Sequence, residues 1–310
     1  VMNKKKGWKK IKGKWQLLAM FAFPLLWYLI FCYVPMYGIQ LAFRDYNPRL
    51  GYLQSPLVGL RWFKQFFSSY YWKDAVWNTF SISLYSILIG FPIPILLAII
   101  INELQGKRFK KVLQNITYIP HFISTVVLCG MLYLFLSPQY GIVNTILGAF
   151  GIGPIGFLES SRYFKGVYVG SEIWQESGWS SIIYIASLAG IDPALYEAAK
   201  IDGANWWQIF VKITMPYIIF VLTPYLITTF TGNVNNFNVI YLLTRGDPIQ
   251  VGDSAGKTDL LITWLYKLTV DRSDYNLGAV IGIMTFIVLA IVSLITYRSS
   301  GSYKNEEAFR

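Results

Sequence analysis

The sequence predicts an all-α membrane protein with six transmembrane helices. Hydrophobic residues make up 55% of the 310 residues and charged residues only 14%, and the mean hydropathy is +0.44, a balance far from that of a soluble domain. Apolar runs of about 20 residues or more, the length of a helix that crosses the hydrocarbon core, recur along the chain. They lie near 15–43, 75–101, 112–136, 171–191, 209–231 and 277–297. Residues 1–310 are therefore predicted to form one transmembrane domain.

Basic residues predict the side of the membrane on which the chain begins. Positively charged short segments favour the cytoplasm, and lysines are concentrated in the segment 1–14. They are Lys4, Lys5, Lys6, Lys9, Lys10, Lys12 and Lys14. Because six spans return the chain to its starting side, the N-terminus 1–14 and the tail 298–310 are both predicted to be cytoplasmic. The run 15–43 is too long for a signal peptide and lacks a small-residue cleavage site, so we expect a retained helix.

The connection between the second and third runs repeats this basic signal. Its cations are Lys107, Arg108, Lys110 and Lys111. The formal net charge of +11 is therefore interpreted as a topology signal for a protein of the cell membrane. The competing interpretation, nucleic-acid binding, lacks the stacking groove that such binding uses, so no nucleic-acid partner is expected.

Two of the outer connections have compositions that predict local structure. Segment 44–74 is rich in Trp, Phe and Tyr, which is typical of an amphipathic outer-surface helix, with a plain loop as the alternative. Segment 137–169 is rich in Gly and Pro, which favours turns over the outer mouth, where an external protein could dock.

The fourth run carries a polar stripe. Its members recur at i, i+3, i+4 and i+7, which places them on one helical face: Glu172, Gln175, Glu176 and Trp179. Ionisable groups within spans normally face a water-filled cavity or the protein interior. The stripe is therefore predicted to line a solute path, and the alternative is a set of interhelical hydrogen bonds.

The fifth run carries a second stripe at helical spacing, Thr229, Asn233 and Asn236. Asparagine amides both donate and accept hydrogen bonds, which suits sugar hydroxyls. Four aromatic residues are placed to stack on sugar rings: Trp179, Phe230, Phe237 and Tyr241. Helix packing through asparagine is the alternative, and we favour it for Asn235.

A short polar helix is predicted within the connection 192–208. Asp192 provides an N-cap, Pro193 suits the first helical position, and Gly203 suits the turn that ends a helix. Between them, Ala198 and Ala199 keep the helix slim, and exposed charges such as Glu197 and Asp202 suit docking in a groove of another protein. An ordinary amphipathic connector is the alternative.

Enzyme chemistry has no support in the sequence, and no catalytic or metal-binding residue is predicted. Gly256-Lys257-Thr258 is like the end of a phosphate-binding loop, but Val251 stands where that motif requires glycine. Cys32 and Cys129 lie within predicted spans and imply no disulfide framework. His121, the one histidine, is interpreted as structural.

A longer signature surrounds the polar helix, Glu197-Ala198-Ala199 followed by Gly203, Ile213 and Pro216. It resembles the cytoplasmic coupling loop of binding-protein-dependent ABC importer permeases. Other motifs resemble the LplB-like group of oligosaccharide and polysaccharide permeases, namely Tyr118-Ile119-Pro120-His121-Phe122, Phe135-Leu136-Ser137-Pro138 and Gly190-Ile191-Asp192-Pro193. The last third is more similar to MalF, the larger permease subunit of maltose importers, on the motifs Asn233-Val234-Asn235-Asn236-Phe237 and Thr258-Asp259-Leu260-Leu261.

This resemblance implies a type I ABC importer permease fold and the subunit's place in a larger machine. The implied partners are a second permease subunit, an ATPase dimer, an extracellular solute-binding protein, an oligosaccharide and membrane lipid. ATP and Mg would be held by the ATPase, to which Glu197 would present its carboxylate, and this chain would need no cofactor. Asn233 and Asn236 match two sugar-contacting asparagines of the maltose subunit, but Gly232 replaces an aromatic contact, so maltose specificity is not implied.

Two other functions fit a polar stripe within the membrane. One is an ion-coupled secondary sugar carrier with Glu176 as the ion site, although inverted repeats or paired broken helices are not obvious in the sequence. The other is a scaffold without a pore. We rank both behind the importer.

Overall fold

A computed structural model describes residues 14–246 and 256–299. The basic segment 1–13 and the tail from 300 onward lie outside these residues, so the side of the membrane that each occupies stays a prediction. All regular structure in the described part is helical apart from one isolated bridge between Arg44 and Leu57. The predicted all-α class is confirmed.

The first span is one continuous helical segment. Helix α1, Trp15–Tyr28, continues through a π-helical turn, Leu29–Tyr33, and a 3-10 helix, Val34–Phe43, to give 29 residues in all. Only Leu41 and Ala42 are buried along it. A helix that is apolar on every side needs lipid or another subunit around it.

The connection 44–74 contains two short helices, α2 (Gly51–Gln54) and α3 (Arg61–Ser68). The predicted surface helix of segment 44–74 is therefore limited to the eight residues of α3. Gly51 and Gly59 adopt positive φ angles of 72° and 60°, a backbone conformation that interrupts any longer helix at those points.

The second span is continuous and the third is sharply bent. Helix α4, Trp72–Gly90, continues directly into α5, Pro92–Glu103. The next run divides into α6 (Lys107–Tyr118), a 3-10 turn (Ile119–Phe122) and α7 (Thr125–Leu136), with a bend of 95° before α7. The third apolar run is thus a broken span.

The segment 137–169, predicted to consist of turns, is partly helical, and that prediction is wrong for two stretches. Helix α8 spans Ile142–Ala149, and α9 already begins at Ser161 and continues to Ala189. The N-cap explains the early start of α9, because the Ser160 side chain accepts a hydrogen bond from the Arg162 backbone N–H at 3.3 Å. At 29 residues, α9 is about 43 Å long, which exceeds the thickness of the hydrocarbon core.

The remaining helices follow a sharp bend at the end of α9. They are α10 (Pro193–Ile201), α11 (Trp206–Ile209) with a π turn (Phe210–Thr214), α12 (Met215–Val234), α13 (Asn238–Thr244), α14 (Leu261–Tyr266) with a π turn (Lys267–Asp271), and α15 (Tyr275–Ser299). Three continuous helical segments are long and apolar enough to cross a membrane. They are Trp15–Phe43, Trp72–Glu103 and Tyr275–Arg298. The number reaches six when each of three bent helix pairs counts as one span.

Helix α9 occupies the centre of the bundle, where it packs against α4, α5, α6 and α12. Gly178 permits the close approach to α6, because a Cβ atom at this position would overlap the Thr117 carbonyl. The C-terminal end of α9 packs in a buried cluster that includes Tyr184, Leu188 and Ile218. These contacts set the position of the polar stripe on α9.

Candidate functional site

A cavity of about 540 Å³ lies beside the middle of α9. Five of the seven residues that the sequence predicted for a solute path line it: Glu172, Gln175, Glu176, Asn233 and Asn236. Thr229 lines a smaller neighbouring cavity of about 120 Å³, which Glu172 and Glu176 also border. The two stripes predicted from different spans therefore meet at one place.

The break in the third span supplies a backbone group to this cavity. Pro120 is the second residue of the 3-10 turn, and Ile123 leaves the turn in an extended conformation. The Ile123 carbonyl then accepts a hydrogen bond from Gln175 Nε2 at 2.7 Å. Non-helical backbone at membrane depth is tolerated where another part of the protein satisfies it, and Gln175 does so here.

His121 lies at the same break and contacts two members of the stripe. Its Nδ1 atom lies 2.9 Å from Glu176 Oε2, and its ring stacks on Trp179 with centroids 4.4 Å apart and planes at 4°. From the sequence, His121 was interpreted as structural and was not predicted to lie at the site. Its position beside Pro120, within an apolar run, was the available signal.

Glu172 is held by a serine of the second span. Ser86 Oγ donates to Glu172 Oε2 at 2.6 Å, and Ser86 is buried on α4. Ser86 was not predicted from the sequence, because a single serine in an apolar run carries no pattern of its own.

Asn236 and Asn233 have different surroundings. Asn236 Nδ2 donates to the Tyr168 hydroxyl at 2.6 Å, and Tyr168 is fully buried on α9. Tyr168 stands four residues before Glu172 on the same helical face, so the period of the stripe could have identified it. Asn233 is only 5% exposed, and its Nδ2 atom has no hydrogen-bond partner among the described residues. Buried amide groups are normally satisfied, and the Asn233 Nδ2 atom is an exception within the described chain.

The aromatic residues expected to stack on sugar rings lie mostly elsewhere. Phe237 packs against Tyr241 at 4.8 Å and against Tyr266 at 4.7 Å between ring centroids. None of Phe230, Phe237 and Tyr241 lines the 540 Å³ cavity as far as the described residues define it. Asn235, for which packing was favoured, donates from Nδ2 to the Thr231 carbonyl at 2.9 Å.

Helix α10 is short, and a capping interaction defines each of its ends. Asp192 Oδ1 accepts from the Ala194 backbone N–H at 2.9 Å, and the Ala204 backbone N–H donates to the Ala199 carbonyl at 2.9 Å. Gly203 has a φ of +75°, which is the left-handed conformation that terminates helices. The predicted start and end of this helix agree with the structure.

One face of α10 is anchored and the opposite face is exposed. Tyr196 packs against the buried cluster at the C-terminal end of α9, and its hydroxyl lies 3.3 Å from Thr214 Oγ1. Among the predicted coupling residues, Ala199 is half-buried, whereas the others are exposed: Glu197, Ala198, Asp202 and Gly203. Ile201 is 86% exposed, and Glu197 makes no ion pair within the described chain. This apolar and acidic face is open to a partner.

A family model with the description binding-protein-dependent transport system inner membrane component matches residues 90–301, which is more than half of the chain. The chain belongs to this family. It is accordingly a permease, the inner-membrane component of a binding-protein-dependent transport system.

Curated relatives agree with this assignment. The permease is 34% identical over 282 residues to the polygalacturonan/rhamnogalacturonan transport system permease protein YteP of Bacillus subtilis, covering 91% of this chain and 86% of the relative. It is 31% identical to Protein LplB of the same organism, covering 89% and 85%. The maltose/maltodextrin permease MalF of Vibrio vulnificus is 33% identical, covering 72% and 43%. The predicted resemblance to both LplB-like and MalF-like permeases is confirmed.

Solved structures show the same fold. A bacterial ABC transporter involved in the import of the acidic polysaccharide alginate contains a chain with a TM-score of 0.84 and 35% identity, covering 98% of the permease and 100% of that chain. A second structure, of the alginate transporter in complex with an alginate pentasaccharide-bound periplasmic protein, has a TM-score of 0.84 and 36% identity, covering 96% and 97%. The permease therefore has the type I importer permease fold that the sequence predicted.

Proposed function

We propose that this permease is one of two membrane-spanning subunits of an ATP-driven importer, which takes up an oligosaccharide delivered by an extracellular solute-binding protein. A separate ATPase dimer holds ATP and Mg and hydrolyses the nucleotide. Both termini of the permease are cytoplasmic, and α10 within the connection 192–208 is the element that the ATPase contacts.

One observation supports this function most directly. Helix α9 carries Glu172, Gln175 and Glu176 at the cavity. The exposed helix α10 follows α9 directly in the chain, after a bend of 69°. From Glu176 to Ala189 the helix rises about 20 Å. A displacement of α10 is therefore transmitted by a continuous rigid helix to the residues that line the cavity.

The solute assignment is supported by the cavity and by the relatives. The cavity volume of about 540 Å³ is within the usual range of small-molecule sites. Relatives are named for polygalacturonan/rhamnogalacturonan and for maltodextrin transport, and one similar structure holds a pentasaccharide-bound periplasmic protein. A second permease subunit would complete the cavity wall.

The proposed mechanism is alternating access. Docking of the loaded binding protein and binding of ATP favour an outward-open state, and hydrolysis restores the resting state. A change of a few kcal/mol in the free-energy difference between the two states is enough to reverse which one is more populated. Glu197 and the exposed Ile201 at the face of α10 would bind in a groove of the ATPase, so that closure of the ATPase moves α9.

The test is a coupling measurement on the complete complex in proteoliposomes. Glu197→Ala is expected to leave assembly intact but to lower sugar uptake per ATP hydrolysed by about tenfold, because losing one paired charge at an interface costs more than about 1.4 kcal/mol. The control is Glu159→Ala, which removes another exposed carboxylate that lies outside α10. Normal coupling in the Glu197→Ala complex would refute the role of α10.

The same vesicles separate this function from an ion-coupled carrier. Uptake by the importer should stop when ATP is withheld and should continue in the presence of an ionophore that dissipates proton and sodium gradients. The reverse pattern would favour a secondary carrier with Glu176 as its ion site.

A further inference from the structure

We infer that the first turns of α6 form a binding surface for anionic lipids, whose phosphate head groups pair with the cations of this helix. The inference goes beyond the proposed function, because lipid binding requires neither sugar nor ATP. It depends on the charge of α6, on the apolar side chains beside those charges, and on the depth of both in the bilayer.

The first turns of α6 carry a dense positive charge. The cations are Lys107, Arg108, Lys110 and Lys111, and the whole helix contains no Asp or Glu. None of the four forms an ion pair with a described residue, although Glu103 lies shortly before them in the chain. Lys110 is half-buried, and the other three cations are exposed. Within the described chain these charges therefore have no counterion.

An apolar stripe lies beside the cations on the same helix. Phe109, Val112 and Ile116 recur at i, i+3 and i+7, and each of them is more than half exposed. Another side of the helix is occupied, because Thr117 packs closely against Gly178 of α9. A helix that exposes both cations and an apolar stripe is typical of the boundary between acyl chains and head groups.

The packing of α6 against α9 places the cations at the level of the head groups. Thr117 approaches α9 at Gly178, which is near the middle of that helix, Ser161–Ala189, and so near the bilayer midplane. From Lys107 to Thr117 the helix rises about 15 Å, which is about half the thickness of the hydrocarbon core. The first turns of α6 thus reach the surface of one leaflet.

Exposed tryptophans at the same end of the molecule indicate the same level. A cavity of about 410 Å³ is lined both by Glu103, at the end of α5, and by Trp206 of α11. The start of α6 and helix α11 therefore lie at one end of the bundle. Trp206 and Trp207 are both exposed, and tryptophan is enriched where the bilayer meets water.

These features fit a lipid better than a protein subunit. Ile116 precedes Thr117 directly, so the apolar stripe continues to the depth of Gly178, which an ATPase outside the membrane does not reach. An apolar surface of a second permease subunit would cover the stripe but would leave the cations without counterions. An anionic lipid supplies an acyl chain for the stripe and a phosphate for the cations.

The experiment measures which lipid lies against α6 in the complete complex. A fluorescent amino acid replaces Asn115, which is exposed and stands one helical turn after Lys111. The complex is reconstituted in phosphatidylcholine bilayers that contain nitroxide-labelled phosphatidylglycerol, which is anionic, or nitroxide-labelled phosphatidylcholine, which has no net charge. The dependence of quenching on the labelled fraction gives the relative binding constant of each lipid.

The variants carry the same probe and differ in the charge that they remove. Arg108→Gln with Lys111→Gln removes the two exposed cations nearest to the probe. Arg108→Lys with Lys111→Arg keeps both charges and controls for the change of side chain. Lys64→Gln with Lys73→Gln removes two exposed cations that lie outside α6.

The wild-type complex is expected to bind phosphatidylglycerol at least about fivefold more tightly than phosphatidylcholine, which is the usual effect of one basic residue near an anionic surface. The Gln pair on α6 should reduce this preference by at least about threefold, and the two control pairs should keep it. Equal binding of the two lipids by the wild type would overturn the inference, as would a preference that the Gln pair on α6 leaves unchanged. Quenching by neither lipid would overturn it too, because a protein subunit would then cover α6.

The proposed function is tested separately by ATP-dependent uptake. A complex that prefers phosphatidylglycerol at α6 but takes up no sugar in response to ATP would refute the proposed function alone. ATP-driven uptake by a complex without this lipid preference would refute only the inference on lipid binding.

Discussion

His121 Nδ1 lies 2.9 Å from Glu176 Oε2, so the break in the third span is joined directly to the centre of α9. The His121 ring also stacks on Trp179 one helical turn further along. Two independent contacts therefore fix the bent segment to the helix that leads into α10. Any rotation of α9 must either carry this segment with it or break both contacts.

Substitution of His121 should separate these two contacts. His121→Phe keeps an aromatic ring against Trp179 but removes the hydrogen bond to Glu176, whereas His121→Ala removes both. We expect the KM for sugar uptake to rise about threefold for His121→Phe, which corresponds to the usual free energy of one hydrogen bond. For His121→Ala we expect a rise of about tenfold or more, because the free energy of one aromatic pair is lost as well. Initial rates of uptake in proteoliposomes measure both changes, and equal KM values for the two variants would contradict the stacking contribution.

Gly178 should tolerate no side chain. A Cβ atom there would overlap the Thr117 carbonyl, and overpacking of this kind costs about 1–3 kcal/mol. Gly178→Ala is therefore expected to lower the thermal unfolding temperature of the complex in detergent.

Gly170→Ala is the matched control for Gly178→Ala. It lies on the same helix, and nothing stands within 4 Å of an added Cβ, so a neutral or slightly stabilising effect is expected from helix propensity. The account of close packing between α6 and α9 fails if both variants unfold at the wild-type temperature.

The buried ion pair between Lys267 and Asp259 should contribute far more to stability than an exposed one. Lys267 Nζ lies 2.6 Å from Asp259 Oδ2, and the Asp259 side chain is fully buried. Lys267→Met would leave a buried carboxylate without its cation, which costs about 3–5 kcal/mol. Lys257→Met removes the cation of the exposed pair with Asp74, 2.7 Å apart, and should cost about 1 kcal/mol or less.

Chemical denaturation of the purified complex compares these two lysine variants. The expected order of stability is wild type, then Lys257→Met, then Lys267→Met by a wide margin. A loss for Lys267→Met no greater than that for Lys257→Met would mean that the buried pair contributes no more than the exposed one.

The two asparagines of the cavity should behave differently. Asn233→Leu removes a buried donor that has no partner in the described chain, so stability should change by less than about 1 kcal/mol, whereas the KM for sugar should rise about tenfold. Asn236→Leu leaves the buried Tyr168 hydroxyl without its 2.6 Å bond and should lower the unfolding temperature as well. Uptake kinetics and thermal unfolding of both variants distinguish the two roles.

The apolar runs were predictable from their length, and the polar stripes were predictable because each follows the helical repeat. The stripe Glu172, Gln175 and Glu176 follows the helical repeat, and its members indeed share one cavity. Helix α10 was predictable from Asp192 and Gly203, because caps are local signals.

The partners of the stripe could not be predicted in the same way. His121, Ser86 and the Ile123 carbonyl lie 55, 86 and 52 residues from the glutamates and glutamine that they contact, and one sequence does not record such distant pairs. The bend of 95° in the third span was missed for a related reason, because Pro120 is compatible with straight and broken spans alike. In segment 137–169, many glycines and prolines concealed α8 and the start of α9.

The central claim is that α10 contacts the ATPase and moves the cavity through α9, and site-specific photo-crosslinking tests it most directly. A benzophenone amino acid is placed at Ala198, on the exposed face of α10, and as a control at Tyr140, which is 71% exposed in the connection between α7 and α8. We predict that the probe at Ala198 captures the ATPase subunit in native membranes, with a yield that changes on ATP binding, and that the probe at Tyr140 never does. Capture of the extracellular binding protein, or of lipid alone, at Ala198 would contradict the account.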